Sequence, residues 1–337
     1  MTEIKFLYLS QEDVVRAGVL DMARTLEDIE KVFRLYAEDK VIMPAKNLID
    51  FYDDHEYRGH IVSMPCYVGD DIDVVGIKWA AGFPKNPIRY DLPLGIDVII
   101  LSDPHSGRPL AIMDGTIITA MRTSAVTGIA IRYLARADSE HVAVIGAGVI
   151  GRTTLMALPH VLPKLKEVRL YDIRREKSEL LARDFKGELP VMVSKSLDKA
   201  VRGADVVVTA TTSRNKFVRS EWISKGCLCV QVGTNEFSEE VVLRADKVVV
   251  DNWEQIRKYG KSMLCKLYEE GYIKRVLELP FIVAGKQPGR ESPEELIFFD
   301  SFGMACEDII VAYRIYKNAI QQGLGEYLYL WRKPLWK

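Results

Sequence analysis

Three glycines and an aspartate carry the plainest chemistry in the chain. In "HVAVIGAGVIGRTTL" a run of β-branched and small apolar residues breaks at Gly146, Gly148 and Gly151, and a helical pattern follows. Gly146 permits a tight turn, Gly148 lets backbone approach a diphosphate, and Gly151 lets the helix lie close to the strand. A diphosphate placed there meets the unpaired N–H groups and positive dipole end of the helix. Asp172 closes the next strand in "RLYDIRR", at the spacing expected of an acceptor for a ribose hydroxyl. A carboxylate at that point repels a 2′-phosphate, so the cofactor expected is NAD; Arg174 and Arg175 follow at once and keep NADP as the alternative. Glycines alone mark only a sharp turn; the flanking strand, helix and Asp172 make the pattern a dinucleotide site.

A nicotinamide enzyme acting on a small polar substrate also needs cations to fix an anionic group and a residue that moves protons. Lys78 stands inside the apolar strand "GIKWAAG". By alternation it faces solvent, and that is the reading the pattern favours; buried, it would lose proton affinity and take part in chemistry. Arg122 in "TAMRTSAVTG" is the lone charge of a small-residue helix until Arg132, so it requires an anionic partner, either a structural carboxylate or that of a substrate. Asn235 and Glu236 in "VGTNEFSEE" follow a strand of a parallel sheet, at the edge where ligands bind, although on this stretch alone ordinary acidic loop capping is the favoured reading. The histidines His55, His60, His105, His141 and His160 have no ligand spacing, and no metal is expected; no G-x-S-x-G elbow or Ser-His-Asp order supports hydrolysis.

The elements that position these groups follow from the texture of the 337 residues. "SQEDVVRAGVLDMARTLEDIEKVFRLYAEDK" reads as helix with Ser10 as N-cap. From about Ile61, short β-rich pieces separated by Gly, Pro and Asp imply a largely antiparallel sheet, with a turn at Asp103 to Arg108. "GTIITAMRTSAVTGIAIRYLA" reads as helix, and beyond it continuous apolar strands alternate with amphipathic helices, the mark of a parallel sheet covered on both faces. "CLCVQVG" and "DKVVVDN" extend that sheet, with Cys227 and Cys229 on one inward face rather than in a redox or metal pair. "GMACEDIIVAYRIYKNAIQQGLG" is a helix that returns to the first part of the chain. Lys+Arg of 46 against Asp+Glu of 47 gives a net charge of -1, which favours a small-molecule partner over nucleic acid or a membrane surface. The 5 unpaired, scattered cysteines and the absence of a long apolar run lead to the expectation of a cytoplasmic protein.

Taken in order, "SMPCY", "GIKWAAGFPKNP", "LSDPHSGRPLAIMDGTIITAMRTSAV", "VAVIGAGVIGRTTL", "GADVVVTATTS", "DKVVVDN" and "FDSFGMACEDI" resemble the ornithine cyclodeaminase and mu-crystallin family over nearly the whole chain. Within it, "AGKQPGRESPEELIFF" and "NAIQQGLGEYLYLW" are more similar to the siderophore-type amino-carboxyethyl-glutamate dehydrogenases and to the proteins named for tyramine oxidase. The resemblance implies an α/β homodimer: a Rossmann-type parallel-sheet domain over residues 121–311, and a mixed α+β substrate and dimerisation domain over 1–120 with 312–337. It implies hydride transfer at a carbon bearing an amino or imino nitrogen, with Lys78 as the active-site lysine. Substrate contacts would come from Lys46, Met64, Lys78 and Arg122, the last on the carboxylate. The dinucleotide would meet Gly146, Ala147, Gly148, Val149, Ile150, Gly151, Asp172, Ile173 and Arg174, together with Thr123, Thr209, Ala210, Thr211, Val232, Gly233, Ser301 and Gly303. Cyclodeaminases carry an aspartate in a "G-x-D-x-P-G-K" loop, where this chain reads Gly233, Thr234, Asn235, Glu236, Phe237. An amide takes no proton at neutral pH, so Glu236, beside Asn235, is the expected substitute. An amino acid or opine-type dehydrogenase therefore ranks above ornithine cyclodeamination, and a non-catalytic dinucleotide-binding protein like mu-crystallin is the third reading.

Overall fold

Apolar alternation on one stretch of chain and continuous apolar runs on another produce two different sheets. The computed structural model describes residues 3–260 and 262–336. The chain divides into one unit of Met1–Arg122 with Met304–Lys337 and a second of Thr123–Gly303. The return to the first unit begins at Met304 rather than at residue 312, because the helix Ala305–Gln322 belongs to it whole. The other boundary falls inside the helix Thr116–Leu134.

The first unit holds an 8-stranded sheet. Its order runs Glu326–Trp331, Ile4–Leu9, Pro109–Asp114, Gly95–Ser102, Val74–Gly82, Glu56–Val68 and Val41–Ile42, with Asn47–Asp53 also paired to Glu56–Val68. Every pairing is antiparallel except that of Ile4–Leu9 with Pro109–Asp114. The two terminal strands are additions to the sheet foreseen from sequence. The single long helix expected near the N-terminus is two, Gln11–Arg16 and Met22–Ala37, separated by Gly18, whose φ of 93° no helix accommodates. Ser10 caps the first in a reciprocal capping box with Asp13. Helix Ala305–Gln322 lies against Met22–Ala37 and the strands Glu56–Val68 and Val74–Gly82. It buries Ile309, Ile310, Val311 and Ile315 there, a contribution of about 1.5–3 kcal/mol for each large aliphatic side chain.

The second unit is a wholly parallel 8-stranded sheet. Its order is Val191–Val193, Glu167–Tyr171, His141–Ile145, Val206–Thr209, Leu228–Gln231, Ile297–Asp300, Lys247–Val250 and Val276–Glu278. The order reverses between His141–Ile145 and Val206–Thr209, the switch point at which open α/β sheets bind ligands. Leu228–Gln231 and Lys247–Val250, the strands expected to extend the sheet, both pair with Ile297–Asp300, which lies between them. Cys227 and Cys229 are buried free thiols, and Phe237 meets Phe298 edge to face with centroids 5.5 Å apart.

Candidate functional site

At the switch point, Gly146 holds φ at 113°, and a Cβ there would stand 2.4 Å from the carbonyl oxygen of Ala210. A Cβ on Gly151 would meet the oxygen of Gly146 at 2.0 Å, so the helix Val149–Val161 rests directly on the turn. Gly148 differs: a Cβ there has no neighbour within 4 Å. It is also the N-cap, and among the described residues no side chain caps the helix there. Two glycines shape the turn and the third leaves a cradle open beside unpaired donors, which fits a diphosphate. Asp172 accepts from the backbone N–H groups of Ala147 and Arg174, both at 2.9 Å, and is thereby fixed next to the turn. Ile173 is 90% exposed and Val149 66% exposed. Ala147, Ile150 and Arg174 lie on the same two strand-to-helix turns.

The remaining expected cofactor residues fall at the carboxyl ends of three further strands. Thr209, Ala210 and Thr211 close one, Val232 and Gly233 follow the next, and Ser301 and Gly303 follow a third; Thr123 is buried in its helix. Glu236, expected to present its carboxylate at this edge, is instead fully buried. One oxygen accepts from Thr211 N–H at 2.8 Å and its hydroxyl at 2.5 Å, the other from Gly233 N–H at 3.0 Å. Burial raises its proton affinity, and the Thr209, Thr211 and Gly233 donors oppose that rise. A carboxylate tied by three donors anchors the loop from inside. Asn235 sits half-buried with φ of 60°, a left-handed position that asparagine tolerates well. Gln231 links this loop to the interior: its Oε1 accepts from Glu236 N–H at 2.9 Å while its Nε2 donates to Asp300 at 3.0 Å. Burial, with Asp251 and Glu236 nearby, pushes Asp300 up to about 7 despite that bond.

In the first unit the simple alternation argument fails for Lys78. It is 2% exposed, and Trp79 takes the outward face, because helix Ala305–Gln322 covers the side Lys78 shares with Val74 and Gly76. Lys78 Nζ lies 2.8 Å from Asp308 and donates to Thr119 Oγ1 at 3.2 Å. Arg122 places Nε 2.9 Å from Asp308 and Nη1 2.7 Å from Glu307. Thr119 donates to Asp97 at 2.6 Å. Burial and the charge of Arg122 lower the proton affinity of Lys78, with Asp308 and Asp97 opposing. Burial alone would lower that of Arg122 too, but Asp308 and Glu307 hold it above its ordinary value. Met64 pairs with Lys78 across the strands, and Asn47 pairs with Ser63; continued by one residue, that register sets half-buried Lys46 in the same row. Sequence reasoning missed Asp97, Thr119, Glu307 and Asp308. For Glu307 and Asp308 the signal was their being the only acids in "CEDIIVA", an otherwise apolar run, matching the partner that Arg122 demands.

Comparison with known proteins places this geometry. The family model described as ornithine cyclodeaminase/mu-crystallin family matches residues 7–323. The N-((2S)-2-amino-2-carboxyethyl)-L-glutamate dehydrogenase of Staphylococcus aureus is 31% identical, over 97% of this chain and 99% of its own. The Thermococcus litoralis Delta(1)-pyrroline-2-carboxylate reductase, solved with NADH and L-proline, superposes with a TM-score of 0.86 at 33% identity, over 95% of this chain and 99% of its own. An archaeal alanine dehydrogenase dimer with bound NAD gives 0.86 at 32% identity, over 97% and 100%.

Proposed function

The chain belongs to the ornithine cyclodeaminase/mu-crystallin family, and from that premise we propose that it is an NAD-dependent oxidoreductase acting on the C–N bond of an amino or imino acid at Cα. The observation that carries this reading is Lys78: a buried ammonium of lowered proton affinity, held by Thr119 and Asp308 beside Arg122. Such a group, which holds its proton less tightly than an exposed lysine, can give and take protons at a substrate nitrogen.

The division of labour follows from the hydrogen bonds. Arg122 commits Nε to Asp308 and Nη1 to Glu307, which fixes the guanidinium and leaves Nη2 for a substrate carboxylate. Lys46 is the second anchor and Met64 an apolar wall. Gly146 to Gly151 and Asp172 hold the dinucleotide, whose nicotinamide supplies or takes up hydride at Cα. The Asp172 carboxylate repels a 2′-phosphate and favours NAD over NADP. Glu236 positions its loop rather than moving protons, since its oxygens are occupied by Thr211 and Gly233. That commitment argues against cyclodeamination, which calls for a free carboxylate in this loop. The outward face of the first unit's sheet, rich in exposed apolar residues, suits a homodimer, and buried free thiols suit a reducing cytoplasm.

The test is a substrate panel followed by NADH absorbance in both directions, including alanine, ornithine, arginine and amino-carboxyethyl-glutamate, and 2-oxo acids with amines or cyclic imines. Net NADH change with at least one is expected. Proline and ammonia from ornithine without net NADH would instead mark a cyclodeaminase, and tight NADH binding without any turnover a binding protein. Lys78→Met should bind NADH as the native protein does while kcat falls by about a hundredfold or more; retained turnover removes Lys78 from the mechanism.

A further inference from the structure

A lysine that exchanges protons with a substrate must also exchange them with water, and Lys78 is sealed from it. Four elements close around its ammonium and the groups that bind it: Asp308 from helix Ala305–Gln322, with Glu307 held on Arg122; Thr119 and Arg122 from helix Thr116–Leu134; Asp97 from strand Gly95–Ser102; and Cys66 of strand Glu56–Val68 beside Asp308. Most of these lead nowhere. Asp308 is itself fully buried and bound to Arg122, and the Cys66 thiol, pushed up by burial, points to the Tyr67 carbonyl.

One path is continuous. Lys78 Nζ donates to Thr119 Oγ1 at 3.2 Å, and Thr119 donates onward to Asp97 Oδ2 at 2.6 Å, closer than its other acceptor, Asp308, at 3.4 Å. Each donor faces the next acceptor, as proton hopping requires. Asp97 keeps 6% of its surface exposed, and its second oxygen accepts no hydrogen bond from the described residues. We infer that Thr119 and Asp97 form the proton route between buried Lys78 and solvent. In the step, the Lys78 ammonium gives a proton to Thr119 Oγ as the threonine hydroxyl proton passes to Asp97. The lysine becomes an amine and the aspartate a carboxylic acid, which releases the proton to water; no bond between heavy atoms changes and no electron is transferred. The reverse sequence recharges Lys78. Burial raises the proton affinity of Asp97 and lowers that of Lys78, which brings the two ends of the route closer together.

The relay rests on the oxidoreductase reading for its purpose, so two readouts are needed. The first is exchange of the Lys78 ammonium protons with water in the ligand-free protein, followed by NMR on 15N-lysine-labelled samples and assigned with Lys78→Arg. The second is kcat against pH on whichever substrate the panel finds. Near-isosteric Thr119→Val should slow exchange and lower kcat by about tenfold or more with KM little changed, and flatten the pH profile; Thr119→Ser should restore both. Asp97→Asn should slow exchange and lower kcat likewise without altering Thr119. Native exchange in Thr119→Val, or failure of the serine variant to rescue, overturns the relay and makes these residues structural. If the native protein turns over nothing, the oxidoreductase reading fails while the exchange experiment still decides the route.

Discussion

At the scale of single residues, the three glycines of one turn separate folding from binding. A methyl on Gly151 collides with the oxygen of Gly146 at 2.0 Å, and one on Gly146 meets Ala210 at 2.4 Å in a left-handed backbone. Gly148 has an ordinary φ of -88° and open space where a Cβ would stand. Gly148→Ala should therefore fold with a Tm close to the native value, yet lose NADH affinity by about tenfold or more as the methyl enters the diphosphate cradle. Gly151→Ala should lose stability outright, about 1–3 kcal/mol. Thermal melts with calorimetric NADH titration check both, and equal NADH affinity in Gly148→Ala would show that the cradle holds something else. The glycine pattern was legible from sequence because local backbone geometry alone demands it. Lys78 was not: alternation in "GIKWAAG" cannot say which face is inside, and that is decided by a helix arriving from the far end of the chain.

At the scale of elements, three strands of the parallel sheet lead into acids that are buried or, for Asp300, half-buried. Asp300 closes Ile297–Asp300, Asp251 follows Lys247–Val250, and Glu236 lies beyond Leu228–Gln231, with Gln231 bridging Asp300 to the Glu236 loop. The pattern of continuous apolar strands announced the sheet but not the order of its last members, which depends on pairings far apart in sequence. Nor did it announce Asp251 and Asp300, each of which looks like a polar strand terminus, whereas Glu236 was singled out, but as a group presented at the edge rather than a buried one. Their proximity has a thermodynamic signature. Asp300 is raised from its ordinary 3.8 to about 7 by burial and by Asp251 and Glu236, with only Gln231 opposing. Between those values the native state binds the proton more tightly than the unfolded chain, so stability falls as pH rises through the window. Asp300→Asn keeps an acceptor for Gln231 and removes the charge. The difference in stability between native protein and variant should be small near about pH 4 and grow in the variant's favour up to about pH 8, reaching a few kcal/mol at most. Denaturation across this range measures it, and a difference independent of pH would mean that Asp300 does not titrate there.

At the scale of the whole molecule, the first unit's sheet is covered by helices on the Lys78 side and bare on the other. Trp79 is 47% exposed and Val98 39%, and they pair directly across neighbouring strands; Tyr8 and Ile96 are exposed on the same sheet. Pro65, Ile77, Ile100 and Ile112 continue the outward face, half-buried. A contiguous apolar sheet face of this kind is unusual on a protein that stays alone in water. A two-fold axis through the face would set each patch against its own copy, so any one substitution acts twice. Val98→Lys places a cation where the side chain is already partly exposed, so the folded protomer should tolerate it, while two lysines facing across the axis should not tolerate each other. Sedimentation of the native protein should give a dimer at micromolar concentration, and Val98→Lys a monomer of nearly unchanged Tm. Alternate residues of one strand serve opposite sides, with Val98 outward and Asp97 inward on Gly95–Ser102. Loss of the dimer should consequently leave NADH affinity intact in the second unit and reduce turnover only through loosening of the strands that carry Lys78 and Asp97. A native protein that sediments as a monomer, or a lysine variant that remains a dimer, would assign the bare face to another occupant.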